Sequence, residues 1–175
     1  MRKDLDNLTK EKLLDYIEIL SKNWLAHDGC WFLAIEDDLG LEAAMKYDKT
    51  GWVYFTVIEA KRIKKFLGLA ERPGIEGLTQ ALKFRLYANI NIQEIVEITP
   101  NSCIFRMNDC RVQSNRKRKG LDDFPCRTIG EAEYGLFAST IDDRITTSCI
   151  HCPPEPHPEN SFCAWKFTLN GRDLK

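Results

Sequence analysis

Apolar residues in the first part of the chain recur at helical spacing. Within residues 8–39 they follow one another at steps of three, four and seven positions, which is one face of a helix, and Thr9 stands where a capping side chain is expected. The members of this predicted face are Leu13, Ile17, Leu20, Trp24, Trp31 and Ile35. One long helix is therefore predicted, with Gly29 as a candidate kink.

Three further helical segments are predicted before residue 90. A short amphipathic helix covers residues 41–47, a connection follows at 48–51, and longer helices cover 52–67 and 76–89. The predicted core face of helix 52–67 is Trp52, Phe55, Ile63, Phe66 and Leu67, and that of helix 76–89 is Leu78, Leu82 and Leu86. The first half of the chain is thus predicted to be helical.

From residue 93 the period of the apolar positions changes to two, which is typical of half-buried strands. Strands are predicted at 93–99 and 103–107, joined as a hairpin, and at 145–150 and 162–169, with helices at 109–120 and 128–141. The predicted fold class is α+β. A helical N-terminal half, about residues 8–90, packs on a small, mostly antiparallel sheet with helices in the C-terminal half, about residues 93–170.

Length and charge narrow the class of protein. The 175 residues, 43% of them hydrophobic, suffice for one core, so residues 1–175 are predicted to form a single domain. The formal net charge is -1, so no overall field favours nucleic acid or an anionic membrane as the partner. No signal-like segment and no apolar run of membrane-spanning length occurs, and a cytoplasmic protein is expected. The edge strands of a small sheet would allow a homodimer.

Cysteines supply the first candidate chemistry. Cys149 and Cys152 form a CxxC pair that is followed by prolines, a turn that presents both sulfurs to one point, as a thiophilic metal requires. The predicted metal ligands, for zinc, are Cys110, Cys126, Cys149, Cys152 and Cys163. Three alternatives stay open, namely reduced cysteines packed as small apolar residues, a redox disulfide and a catalytic thiol. Cycling between Cys149 and Cys152 is disfavoured because this pair does not begin a helix. Cys30 and Cys103 are predicted core residues.

Charged residues on predicted apolar helix faces supply the second candidate chemistry. Asp28, Glu59 and Arg85 lie at core spacing, where an isolated charge is costly, so packing of the helices would gather them into a buried polar cluster bordered by His27. This cluster is either a set of structural ion pairs or the floor of a ligand pocket. In a pocket, Arg85 would hold a carboxylate and His27 or Glu59 would move a proton. An exposed helix break is the alternative for His27 and Asp28.

A run of basic residues supplies the third candidate chemistry. Residues 111–119 carry five basic residues and no acid, which could bind phosphate or nucleic acid, but no aromatic residue interleaves them for base stacking. A solvated helix face is the favoured interpretation, and Arg116 is a candidate for gripping an anionic substrate. Glu133 lies seven residues beyond Cys126 and is a candidate carboxylate for the cysteine site.

Several short segments of the sequence together resemble those of a known group of proteins. The segments are residues 27–32, 110–113, 116–121 and 149–154. In the second half, the features that carry the resemblance follow one another along the chain as Cys110, Cys126, the helix 133–138, Cys149 with Cys152, and the strand 163–167. They are similar to an uncharacterised prokaryotic family of cytosolic proteins. That family is related to L-2-amino-thiazoline-4-carboxylic acid hydrolase-like proteins and to four-vinyl-reductase-type ligand-binding domains.

The resemblance implies a ligand cavity between a helical first half and a sheet-containing second half, and cysteines that hold zinc. The expected function is that of a cytosolic protein that binds a small, anionic molecule beside a cysteine-rich zinc site. A hydrolase-like activity would use zinc-bound water. The catalytic candidates are then His27, Asp28, Glu59 and Glu133, with Arg85 and Arg116 binding the ligand. The alternative is a regulatory or adaptor module that binds nucleic acid or a protein through the basic helix 111–119.

Overall fold

Two long helices dominate the N-terminal part of the computed structural model, which describes residues 2–171. Helix α1 covers Arg2–Asp6, α2 covers Lys10–Leu39 and α3 covers Leu41–Phe66. Thr9 caps α2, since its Oγ1 accepts the N–H of Lys12 at 3.3 Å. Gly40, with a φ of 84°, ends α2 in the left-handed region that glycine tolerates. Helix α2 continues through Gly29, the candidate kink, without a break.

The predicted break at residues 48–51 is also wrong, because α3 runs through them without interruption. The hydroxyl of Thr50 donates to the carbonyl oxygen of Lys46 within the helix at 2.9 Å, so this polar stretch is an exposed helix face. Four residues of the predicted core faces are exposed instead, Ile17 at 45%, Leu20 at 49%, Trp31 at 62% and Phe66 at 74%. Helical spacing identifies an apolar face, but it does not show that another element covers that face.

The remaining elements form a helix-covered sheet. They are α4 Gly74–Leu82, a 3-10 helix Leu86–Asn89, β1 Ile92–Val96, β2 Ser102–Asp109, α5 Arg111–Arg118, α6 Arg127–Ile141, β3 Ile145–His151 and β4 Cys163–Leu169. The strand order is β1-β2-β4-β3, and each neighbouring pair is antiparallel. The α+β fold class is thereby confirmed. The predicted helix 76–89 is instead two pieces, with Arg85 in extended conformation between them.

The chain divides into two compact units, Met1–Ala44 and Met45–Lys175. The core of the second lies between the sheet and helices α4 and α6 and includes Leu78, Leu82, Phe105, Phe137, Trp165 and Phe167. Gly130 of α6 lies directly against Trp165, and a Cβ at this position would be 2.6 Å from the ring carbon Cζ2. Tyr134 stacks on the same ring, with centroids 5.0 Å apart. The absence of a side chain at Gly130 thus lets α6 approach the sheet closely.

Polar contacts tie the end of α6 to neighbouring helices. The Lys64 ammonium donates to the carbonyl oxygen of Ile141 at 2.7 Å. Asp142, which is buried, accepts the backbone N–H of Gly74 at 2.8 Å and the guanidinium of Arg144 at 2.8 Å. These bonds satisfy the carbonyl at the end of α6 and a backbone donor at the start of α4. Within residues 2–171, no helix combines the length and the apolar character needed to cross a membrane.

Candidate functional site

Two cysteines from different elements meet at the start of α6. Cys126 is the residue that precedes α6, and Cys152 follows β3. Their Sγ atoms are 3.6 Å apart. The backbone N–H of Arg127 donates to the carbonyl oxygen of Pro153 at 3.0 Å, so the helix start and the segment after Cys152 are held together. The two sulfurs are therefore in direct contact.

Gln113 of α5 positions the loop that leads to Cys126. Its side-chain amide donates to the carbonyl oxygen of Phe124 at 2.9 Å and accepts the N–H of Phe124 at 2.8 Å. The same amide nitrogen approaches Cys126 Sγ at 3.5 Å. Gln113 is fully buried, and sequence analysis did not identify it. The sequence carried no distinguishing signal for it, because Ser114 and Asn115 of the same helix are also uncharged polar residues.

The two thiols differ in acidity and exposure. The pKa of Cys126 is lowered, chiefly because the Cys152 thiol donates a hydrogen bond to the Cys126 sulfur. The hydrogen bond from Gln113 also lowers this pKa, whereas burial and the charge of Glu133 raise it. The pKa of Cys152 is raised because its proton is held in the hydrogen bond to Cys126, and Cys163 acts in the same direction. Cys126 is half-buried whereas Cys152 is 1% exposed. The pair thus joins an accessible, acidified thiol to a buried, protonated one.

The other cysteines are held as thiols. Burial raises the pKa of Cys110 to about 12, that of Cys149 to about 11 and that of Cys103 to about 11. Cys103 is buried, as predicted, but Cys30 is exposed and its predicted core position is wrong. Cys163 lies in the core.

The predicted zinc site, and the small-molecule-binding function built on it, are wrong. Within residues 2–171 no group of three or more His, Cys, Asp or Glu side chains is arranged to hold a metal ion. Of the five predicted ligands, Cys126 and Cys152 are in direct sulfur contact. Cys110, Cys149 and Cys163 do not join that pair in a group of three that could hold a metal ion. The proposed hydrolysis by zinc-bound water therefore has no structural basis.

The buried charges of the second unit form an ion cluster. Arg85 Nε donates to Glu59 Oε2 at 2.9 Å, and its Nη1 is 2.7 Å from Glu133 Oε1. Burial alone would lower the pKa of Arg85, but the carboxylates of Glu133 and Glu59 outweigh it and raise that pKa. The guanidinium carbon lies 4.7 Å from the centroid of the Phe137 ring. Glu59 also accepts the backbone N–H of Leu86 at 3.0 Å, so the cluster fixes the chain where α4 ends.

The four catalytic candidates are divided between the two units. Glu59 and Glu133 belong to the ion cluster of the second unit, while His27 and Asp28 lie on α2 in the first. His27 is exposed, and its Nε2 accepts the indole N–H of Trp31 at 3.2 Å. Asp28 is half-buried, and burial raises its pKa while His27 partly offsets this.

Arg116, a predicted ligand-binding residue, contacts residues of the loop before α6. Its Nε donates to the carbonyl oxygen of Asp122 at 2.8 Å, and its guanidinium lies 5.9 Å from the centroid of the Phe124 ring. His157, which sequence analysis did not single out, bonds Asp123 at 3.0 Å and ties the proline-rich loop to the same segment. Burial would lower the pKa of His157, but the hydrogen bond with Asp123, the charge of Asp123 and backbone hydrogen bonds together outweigh it and raise that pKa.

Comparison with known proteins gives one match. Residues 6–169 match DUF6125, a family of unknown function. No curated protein matches the chain, and no solved structure does. The resemblance to thiazoline hydrolase-like and four-vinyl-reductase-type domains therefore stays a prediction from the sequence phrases.

Proposed function

Since the chain belongs to the DUF6125 family, whose function is unknown, we propose a function from its own geometry: thiol–disulfide exchange through a reversible disulfide between Cys126 and Cys152. The observation that carries the proposal is the 3.6 Å contact between the two sulfur atoms. A disulfide requires about 2.05 Å, so the two sulfur atoms must approach each other by roughly 1.5 Å when the bond forms. The exchange partner is a small-molecule or protein disulfide.

In the first step the Cys126 thiolate attacks one sulfur of the partner disulfide. The partner's S–S bond breaks, one half leaves as a thiolate that takes up the proton released from Cys126, and a mixed disulfide forms on Cys126. The half-buried position of Cys126 leaves its sulfur accessible to this attack. The lowered pKa of Cys126 raises the fraction of attacking thiolate, and its place at the start of the 15-residue helix α6 favours negative charge there.

In the second step Cys152 attacks the sulfur of Cys126. The mixed disulfide breaks, the second half of the partner leaves as a thiolate, and this thiolate takes the proton of Cys152. The protein pair has then lost two electrons and two protons, and the partner disulfide has become two thiols. Burial of Cys152 keeps solvent oxidants from it and leaves Cys126 as the first point of attack.

The alternative pair Cys149 and Cys152 has weaker support. Cys149 lies within strand β3 opposite Trp165 and not at a helix start. Burial raises the pKa of Cys149 to about 11, which suppresses its thiolate. The proposal also fits the expected cytoplasmic location, where reducing conditions would keep the resting pair as thiols.

The test is equilibration of the reduced full-length protein in glutathione buffers of graded oxidation, followed by acid quenching, alkylation and intact-mass measurement. We expect two thiols to disappear together, and peptide mapping to join Cys126 to Cys152. Alkylation of Cys126 by iodoacetamide should rise with pH through a midpoint below about 8.5, the ordinary value for cysteine.

Single-cysteine variants separate the two steps. Cys126→Ser should abolish both the mixed disulfide and the internal one, while Cys152→Ser should stop the protein at one glutathione adduct. Cys103→Ser is the matched control, because it also places a hydroxyl at a buried core cysteine; exchange should persist. Retention of all thiols at every buffer ratio would refute the proposal, as would a disulfide that maps to Cys149 and Cys152.

A further inference from the structure

The apolar face of α2 is only partly covered. The α2 stripe is defined as Leu13, Ile17, Leu20, Trp24, Asp28, Trp31 and Ile35, which follow one another at steps of four and three residues along one side of the helix. Three of its large side chains are strongly exposed, Ile17 at 45%, Leu20 at 49% and Trp31 at 62%. A row of exposed apolar residues on a regular helix marks an interaction surface.

The α2 stripe is symmetric about Trp24. Leu20 and Asp28 lie four residues to either side of Trp24, Ile17 and Trp31 lie seven, and Leu13 and Ile35 lie eleven. The spacing therefore comprises two successive steps of eleven residues, which correspond to about 3.67 residues per turn and favour a right-handed supercoil of two paired helices. A second copy of α2 that runs in the opposite direction would meet this surface with the same set of side chains, as two-fold symmetry requires.

Charges at the two ends of α2 favour that direction. Lys10 and Asp38 lie fourteen residues to either side of Trp24, on the continuation of the α2 stripe. The last turns of α2 carry Glu36 and Asp37 beside Asp38, and the last turn carries no basic residue, although cations are favoured at a helix C-terminus. In an antiparallel pair each acidic end would receive the partner's Lys10. In a parallel pair the acidic ends would repel each other.

We propose that the α2 stripe is a homodimer interface in which two α2 helices pair antiparallel about Trp24. Ile17 packs against Trp31 of the second copy, and Leu20 packs beside its Asp28. One polar residue within an apolar helix interface fixes the register at some cost in affinity. This interface differs from the edge-strand dimer that the sequence suggested, because it lies on α2 and leaves the sheet edges unpaired.

The oligomeric state of the full-length protein under reducing conditions tests the proposal. Sedimentation velocity over a concentration series should show a species of twice the 20.2 kDa chain mass. Leu20→Glu should raise the dimer dissociation constant by about 100-fold or more, because two apolar contacts per dimer are replaced by carboxylates close to Asp28. Leu33→Glu is the matched control: Leu33 is also 49% exposed and lies on α2 away from the stripe, so the constant should change by less than about threefold.

A charge exchange tests the antiparallel direction. Lys10→Glu and Asp38→Lys should each raise the dissociation constant by about 3-fold to 10-fold at low ionic strength, and the double variant should restore it. A wild-type protein that stays monomeric at about 100 μM would overturn the proposal. Equal effects of Leu20→Glu and Leu33→Glu would refute this surface, and a double variant weaker than either single one would refute the direction.

Discussion

Substitution of Gly130 by alanine tests the closest approach between α6 and the sheet. The added Cβ would lie 2.6 Å from Cζ2 and 3.1 Å from Cη2 of Trp165. Carbon atoms in van der Waals contact are about 3.5–4.0 Å apart, so either the helix or the ring must move. Trp165 is 1% exposed and is held by Tyr134, which stacks on it, and the ring has no solvent to move into.

The expected loss follows from two opposing terms. Overpacking of a dense core costs about 1–3 kcal/mol, and a contact this short belongs at the upper end of that range. Alanine in place of glycine within a helix returns roughly 1 kcal/mol. Gly130→Ala should therefore lower the free energy of unfolding by about 2 kcal/mol.

Gly135 provides the control in the same helix. A Cβ at Gly135 would meet no atom within 4 Å, so Gly135→Ala should stabilise by about 0.5–1 kcal/mol. Urea denaturation followed by circular dichroism would measure both variants, with the m-value checked for constancy. If Gly130→Ala stabilised the protein as much as Gly135→Ala, the inferred close packing of α6 on Trp165 would be incorrect.

Two further predictions concern buried charges. Arg85→Met should lower the free energy of unfolding, measured by urea denaturation, by about 3–5 kcal/mol, because it leaves two buried carboxylates without their cation. Arg72→Met breaks an exposed ion pair and should lower it by less than about 1 kcal/mol. Similar losses in the two variants would contradict the assigned role of the ion cluster. The hydrogen bonds from Arg144 lower the pKa of Asp142 from 3.8 to about 2. The folded pKa lies below the unfolded one, so this carboxylate contributes roughly 2 kcal/mol above pH 4, and the contribution is lost as the pH falls from about 4 to 2. Acid titrations of unfolding should show a shallower decline in Asp142→Asn than in the wild type, and parallel curves would reject the assignment.

The C-terminal half was the more predictable part of the fold. Strand alternation and turn residues are local signals, and they placed β1 to β4 and α6 within a few residues of their positions. The N-terminal half was less predictable, because the sequence does not show which side of a helix is covered by another element. Polar residues 48–51 suggested a connection, although helix α3 accommodates them on its exposed side.

The contact between Cys126 and Cys152 could not be predicted from spacing. These residues are separated by 26 positions and meet only because α6 packs beside β3. The CxxC spacing drew attention instead to Cys149 and Cys152, but the pairing of β3 with β4 shifts in register between Cys149 and His151. Short motifs describe local chain geometry, whereas this dithiol depends on tertiary packing.

The position of β4 in the sheet has a consequence for protein synthesis. This strand is the last of the four in the sequence, yet it lies between β2 and β3 and pairs with both. During translation the β1–β2 hairpin can form early, but β2 and β3 each lack an inner neighbour until residues 163–169 leave the ribosome. Nascent chains that end before residue 163 therefore expose unpaired strand edges, and they are the stage at which chaperone binding or misassembly would occur.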